Sequence, residues 1–344
     1  MDAACCGQPI IQIHPTRRCN LRCLHCYSWS APEERDQLSA EVLTGAIEDA
    51  AALGYRVASF SGGEPVLYRD LGTLLARAKS HGLRTTVTTN GMLLDEKRMA
   101  MLAGHTDVLA ISLDGIPESH NRMRASNEAF ERMQANLERV RESGITFGFI
   151  FTLTLYNVDE IDWAARFAVE QGARLLQIHP LEEVGRAGEL LAGSRPDATE
   201  SAFAFLVAER LRQKYGERLF VQLDIFHRDL VQRFPSRFYA DQAWSQDALL
   251  ADLVTPLVVE ADGYVAPLGY GFGRDFGLGS IAERRLKDLA PAWISRRYAE
   301  FRRLCRDVYA EACAPGELPF LNWYEMMGAR SGERPALQST AASK

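Results

Sequence analysis

The sequence predicts an α/β chain folded as an open, partial (βα)6 TIM-like barrel with a smaller C-terminal α+β segment. Three observations carry this. Between residues 10 and 180, short β-branched or apolar runs alternate six times with helical patterns, the order that joins parallel strands through right-handed crossovers. The alternation then lapses, and six units are too few for a closed eight-fold ring. The distinctive short motifs fall at the carboxyl ends of strands, where ligand groups collect in such sheets.

The elements follow in order. Ile10–Ile13 is the first strand, and Ala40–Leu53 a helix capped by Ser39. Arg56–Phe60 is a strand ending in Ser-Gly-Gly-Glu-Pro, followed by a helix over Leu71–Ser80 opened by Asp70 and closed by Gly82. Arg84–Thr89 is β-rich and stops at Asn90-Gly91, with a helix across Asp95–Leu102. Val108–Leu113 is a strand ending at Asp114-Gly115, and Glu128–Glu142 a helix closed by Gly144. Thr146–Leu155 is a strand, Asp159–Glu170 a helix closed by Gly172, and Leu175–Ile178 the sixth strand. Residues 197–214 read as helical, and nothing strand-like follows until Leu257–Glu260. The expected division is a lead-in (1–9), the partial barrel (10–195), a helical connector (196–249), a C-terminal segment (250–328) and a flexible tail (329–344).

The 344 residues are 47% hydrophobic and 24% charged, ordinary globular usage that excludes collagen-like, coiled-coil and wholly disordered classes. No stretch approaches the ~20 apolar residues of a membrane span, and residues 1–10 lack the charged start and apolar run of a secretion signal. With a net charge of −6 and no basic block, neither nucleic acid nor membrane is expected as a partner, and the expected location is the cytoplasm.

Seven cysteines stand at positions 5, 6, 19, 23, 26, 305 and 313. An odd number without an export signal argues against a disulfide framework. Cys19, Cys23 and Cys26 fall within eight residues directly after the first strand. Thiolates ligate zinc and iron–sulfur clusters. A closed zinc site asks for four ligands, and the fourth would have to be His25, folded back from between Cys23 and Cys26. A [4Fe–4S] cluster held by three cysteines keeps one iron open for a small molecule, and the single-loop spacing favours it.

These residues resemble the radical S-adenosylmethionine (SAM) enzyme superfamily, whose CxxxCxxC signature stands here as Cys19, Cys23 and Cys26. The resemblance covers roughly residues 10–185 and implies the same partial barrel. It implies one [4Fe–4S] cluster whose open iron chelates SAM, and one-electron cleavage giving methionine and a 5′-deoxyadenosyl radical that abstracts a substrate hydrogen. Gly62, Gly63, Glu64 and Pro65 resemble the stretch receiving the methionine amino group, the glycines admitting backbone to the ligand and Glu64 offering charge to an ammonium. Ser112 resembles a serine that hydrogen-bonds SAM, with Asp114-Gly115 after it. Arg124 stands where relatives carry an arginine facing the SAM carboxylate; its other reading is a solvated arginine beside Arg122. Asn90 matches a Thr-Asn-Gly strand end of the family, or is a plain turn residue. His25 takes a usually aromatic place against the adenine. Tyr27 covers the cluster or packs in the core, and His179 is a hydrogen-bonded core histidine or a substrate contact. Gly185-Arg186-Ala187 is similar to members with a C-terminal extension.

Residues 258–267 read as a hairpin turning at Asp262-Gly263. With Leu278–Ile281 this resembles the start of the SPASM extension, which holds auxiliary clusters in other members. Here Leu268 replaces the expected cysteine, and only Cys305 and Cys313 remain downstream. The segment therefore reads as SPASM-like but degenerate, without a second cluster. The resemblance implies an oxidoreductase or lyase-type biosynthetic enzyme acting on a peptide or natural-product precursor, with flavodoxin or ferredoxin as electron donor. The alternatives are a sugar, nucleoside or cofactor precursor as substrate, or, in another class, a zinc-binding structural or regulatory module.

Overall fold

A computed structural model describes residues 7–241, 245, 248–316 and 319–332. Period-two apolar runs lie flat against helices and build one ten-stranded sheet, in the order β11-β10-β9-β1-β2-β3-β4-β5-β6-β7. Seven strands follow one another in parallel: β1 (Ile10–Ile13), β2 (Val57–Phe60), β3 (Arg84–Thr89), β4 (Val108–Ser112), β5 (Thr146–Leu153), β6 (Leu175–Pro180) and β7 (Phe220–Leu223). The crossovers carry α1 (Ala40–Ala52), α2 (Leu71–Ser80), α3 (Glu96–Leu102), α4 (Pro117–Met123), α5 (Ala129–Glu142), α6 (Ile161–Glu170), α7 (Arg186–Leu190) and α8 (Ala198–Tyr215). Ser39 caps α1 by accepting from the Val42 amide, Asp95 caps α3 from Arg98, and Asp197 forms a capping box with Glu200 on α8.

The strands alternate faces. Ile11, Ile13, Phe60, Val87, Ile111, Phe149, Phe151, Leu176 and Ile178 are fully buried and pack with helix residues such as Leu43, Leu74, Met133 and Ile161. The opposite face carries Gln12, Ser59, Thr86, Thr88, Thr152, Gln177, His179 and Gln222, all half-buried. That polar face is the inner wall of the partial barrel.

Strand β7 lies in the stretch expected to be a helical connector. Phe-Val-Gln-Leu is four residues long and directly follows a helix and a short turn, so it left little periodic signal. After it come β8 (Phe226–His227), α9 (Arg228–Arg233) and α10 (Leu250–Leu253). The hairpin appears as β9 (Leu257–Val259) and β10 (Tyr264–Pro267), with β11 (Gly279–Ser280) beside it. It does not stand apart, because β9 pairs in parallel with β1 and extends the barrel sheet. Helices α11 (Leu286–Arg296) and α12 (Tyr298–Cys313) follow, then β12 (Phe320–Leu321), paired with β8, and α13 (Trp323–Gly332). The expected tail from residue 329 is helical as far as Gly332; the rest, like Cys5 and Cys6, lies outside the described residues. The helix expected from Asp159 begins at Ile161, after one 3-10 turn.

Candidate active site

The segment between β1 and α1 carries Cys19, Cys23 and Cys26, the first two buried and the third half-buried. It has only two isolated bridges of its own, so it takes its shape from neighbours. Gly63 and Glu64 donate their amides to the carbonyls of Thr16 (2.8 Å) and Arg18 (2.9 Å). A Cβ at Gly63 would sit 2.2 Å from the Arg18 oxygen, and at Gly62 (φ +110°) 2.9 Å from the Thr16 oxygen. The close approach that these glycines permit in this structure is that of the cysteine loop's own backbone. Gly63→Ala cannot be relieved by a rotamer change; an overpacking cost of about 1–3 kcal/mol and a lower iron content per chain are expected, read by denaturation and metal analysis. Unchanged iron and stability would show that the loop tolerates the shift.

Three further ties hold the loop. Asn90, at the end of β3, donates from Nδ2 to Asn20 Oδ1 (2.8 Å). Leu24 donates its amide to the Met123 carbonyl (2.9 Å). Beyond β6, the Arg186 amide bonds the Cys26 carbonyl (2.9 Å), and its guanidinium bonds the carbonyls of Cys23 (2.8 Å) and Ser30 (3.1 Å). Gly185 (φ +63°) makes this clamp possible, since a Cβ there would meet the Tyr27 oxygen at 2.3 Å.

Glu64 is 1% exposed. Its carboxylate accepts from Thr89 Oγ1 (2.8 Å) and the Asn90 amide (2.9 Å), so it ties β2 to β3. Burial pushes its pKa up, partly offset by these donors. Pro65 opens a buried 3-10 turn, and Ser112 ends β4 with 8% exposure.

The electrostatic centre is Asp114, fully buried and not singled out from sequence. Arg124 is not a solvated surface residue: it is 8% exposed, donates from Nε to Asp114 Oδ2 (2.7 Å), and points another guanidinium nitrogen at the Cys23 sulfur (3.8 Å). Burial would raise the Asp114 carboxyl, but the Arg124 cation, with His25 and His120, brings it down to about 2. His25 Nε2 lies 4.0 Å from Asp114 Oδ2, while its buried Nδ1 makes no hydrogen bond among the described residues. Burial lowers both His25 and His120 to about 4, so both rings are neutral at pH 7.

Burial raises the thiol pKa values of Cys19 and Cys23, and neighbouring sulfurs add to the effect. Thiols held this way ionise when a cationic group binds them. The donor set therefore fits an iron–sulfur cluster. Zinc would need His25, whose ring is drawn to Asp114; among the described residues no three His, Cys, Asp or Glu side chains gather around a single-ion point.

Tyr27 shares hydrogen-bonding contacts with Ser61 (3.1 Å) and His14 (3.5 Å), and His14 stacks on Tyr270 from the C-terminal segment, centroids 4.9 Å apart. His179, on the inner wall at the end of β6, is hydrogen-bonded yet one-third exposed. Cys305 is buried in the core on α12, where burial pushes its pKa to about 12, and Cys313 ends that helix.

Residues 13–168 match the radical SAM superfamily. Residues 13–168 are thus identified as a radical SAM domain. Members of this superfamily use SAM and a [4Fe–4S] cluster. The chain is 32% identical over 208 residues to Fe-coproporphyrin III synthase of Methanosarcina barkeri, covering 60% of this chain and 52% of that one. It is 25% identical over 311 residues to the sporulation killing factor maturation protein SkfB of Bacillus subtilis, covering 89% and 70%. The chain spans about half the length of the first of these radical SAM relatives. Its fold matches that of SuiB from Streptococcus suis bound to S-adenosylmethionine, with a TM-score of 0.67, 18% identity, and coverage of 87% of this chain and 68% of SuiB. SuiB is also known bound to its precursor peptide SuiA, and matches there with a TM-score of 0.66, 18% identity, and coverage of 86% of this chain and 67% of SuiB.

Proposed function

We propose that this chain is a radical SAM enzyme that cleaves SAM reductively at one [4Fe–4S] cluster and abstracts a hydrogen atom from a peptide or natural-product precursor. The observation that carries this is the cysteine loop itself: three thiols on one segment, tied to the ends of β2, β3 and β6, with the Arg124 guanidinium against the Cys23 sulfur. Cys19, Cys23 and Cys26 would hold the cluster, which with SAM would supply one-electron carbon–sulfur cleavage and hydrogen-atom abstraction.

The chain's residues do the rest. Arg124, fixed by Asp114, offers its remaining donors to a carboxylate. His25, neutral and with an unpartnered Nδ1, lends a flat face and one polar edge to a purine. The glycines and Glu64 hold the loop in register, Asn90 fixes its middle, and Ser112 closes β4 on the same rim. Burial of these groups keeps water from a reactive radical. The peptide reading is supported by the likeness to SkfB and to SuiB; the identity to the coproporphyrin enzyme favours a cofactor precursor as the second reading. An electron donor such as flavodoxin or ferredoxin belongs to this reading. Among the described residues no helix is long and apolar enough to cross a membrane.

We propose the same division of labour as in the sequence, with residues 10–195 carrying the chemistry and residues 250–328 a scaffold without a second cluster. Replacing Cys305 and Cys313 with alanine should leave iron unchanged, since Cys305 is packed in the core; a fall of about four irons per chain would reveal an auxiliary cluster. The test of the function is an oxygen-free assay for 5′-deoxyadenosine with dithionite and candidate substrates deuterated at chosen carbons. Deuterium in the nucleoside is the expected result, and no nucleoside from SAM would overturn it.

A further inference from the structure

The inner wall at β6 and β7 carries a polar square that the proposed chemistry does not use. The register places Gln177 directly beside Gln222. One step further along the same face, by the period of two, lie His179 and Asp224. Asp224, 7% exposed, saturates its carboxylate within the square: Oδ2 accepts from Gln177 Nε2 (2.8 Å) and stands 3.0 Å from His179 Nδ1, while Oδ1 accepts from Gln222 Nε2 (2.8 Å). Both glutamines are thus locked by their amino ends. Among the described residues no hydrogen bond occupies their Oε1 atoms, and both side chains are half-buried on the inner wall, which leaves these oxygens as acceptors.

The charge around the square has one sign. His179 Nε2 lies 3.5 Å from Glu182. Burial works against the imidazolium, but Asp224 and Glu182 hold it protonated, with a pKa of about 10. One cation between two carboxylates leaves a net negative charge. Arg195, further along the chain after β6, is paired with Glu325. Glu182 also stands three residues before Gly185, at the foot of the clamp on the cysteine loop. Besides burial, its charge helps to raise the hydroxyl pKa values of Tyr27 on that loop and Tyr324 on α13. His179 lies at the carboxyl end of β6, the side of the sheet on which the cysteine loop leaves β1.

We propose that Gln177, Gln222, Asp224 and His179, with Glu182 beside them, form a subsite for a cationic N–H group of the substrate, an ammonium or guanidinium. Two fixed carbonyl acceptors, with the partly exposed Glu182 carboxylate beside them, meet such a donor. A phosphate or a propionate would face acceptors and like charge, so polyanionic substrates are disfavoured. The catalytic purpose of the subsite rests on the activity proposed above, but its existence is tested separately.

The experiment is calorimetric titration of the full chain, reconstituted with cluster and SAM. Acetyl-arginine amide and acetyl-lysine amide represent a peptide side chain, agmatine a free amine, acetyl-norleucine amide the uncharged isostere, and GTP a polyanion. The cationic probes should bind at least tenfold more tightly than the norleucine amide. The Gln177→Leu/Gln222→Leu double variant and Glu182→Gln should each remove most of that difference. Gln177→Glu should tighten cation binding, a gain that misfolding cannot produce. Tighter binding of the capped amino acids than of agmatine assigns the subsite to a peptide, and the reverse order to a small amine. Equal binding of the norleucine amide, GTP binding weakened by the same variants, or no binding of any cation overturns the subsite. The titration does not read SAM cleavage, so its failure leaves the 5′-deoxyadenosine assay to judge the enzyme.

Discussion

Alanine at Cys19, Cys23 or Cys26 is expected to reduce iron from about four per chain to near zero and 5′-deoxyadenosine formation to background. The reason is chemical. Each thiol would hold a different corner of the cluster, and no other cysteine of the described residues shares the loop. Cys305 and Cys313 lie on α12, the first of them in the hydrophobic core, and neither offers a replacement. The loop should survive the substitution, since most of its ties to the rest of the fold run through backbone carbonyls and amides and the Asn90–Asn20 pair, and among them only the Arg124 contact reaches a cysteine sulfur. Anaerobic reconstitution followed by iron, sulfide and absorbance measurements checks this. A brown protein with full iron in any single variant would remove that cysteine from the ligand set, and stoichiometric zinc in the wild type would replace the enzyme reading by a structural one.

Asp114→Ala should be the most damaging substitution away from the cysteines. It leaves the buried Arg124 guanidinium without its carboxylate, and removing one partner of a buried pair costs about 3–5 kcal/mol. It also frees the guanidinium that lies against Cys23, so SAM affinity should fall with stability. Urea denaturation and SAM titration read the two effects. A loss under ~1 kcal/mol would mean that water or rearrangement satisfies Arg124. The pH dependence has a definite sign. Because the Asp114 carboxyl is lowered to about 2 in the fold, its contribution is complete above the unfolded value of roughly 4 and is lost as pH falls through about 2. The stability difference between wild type and Asp114→Asn should therefore shrink between those values and stay constant above them.

The parts of this site that depend on neighbours along the chain were legible in the sequence. The cysteine spacing, the capping residue Ser39 and six of the parallel strands are local patterns. Contacts between distant segments were not. Arg186 reaches Cys23 across 163 residues, and nothing in Gly-Arg-Ala announces a clamp. Asp114 stood in plain view beside Ser112, but its rank comes from three basic side chains that the fold gathers around it. The Gly-Gly pair was read for the absence of a side chain, but not for the cysteine loop's backbone that the fold sets against it. The polar square was out of reach because β7, half of its framework, is too short to show a period.

The pairing of β9 with β1 has a consequence for how this molecule can be cut. The strand that launches the cysteine loop is flanked on both sides, by β2 and by β9. Removing everything after residue 250 would strip away one flank and leave a row of bare amides and carbonyls next to the chemistry. Such a margin invites strands from other molecules. The shortened protein should clump and lose its iron, even though every predicted ligand is still present. The β9–β11 hairpin segment thus acts as a selvedge, the woven border that keeps the rest from unravelling.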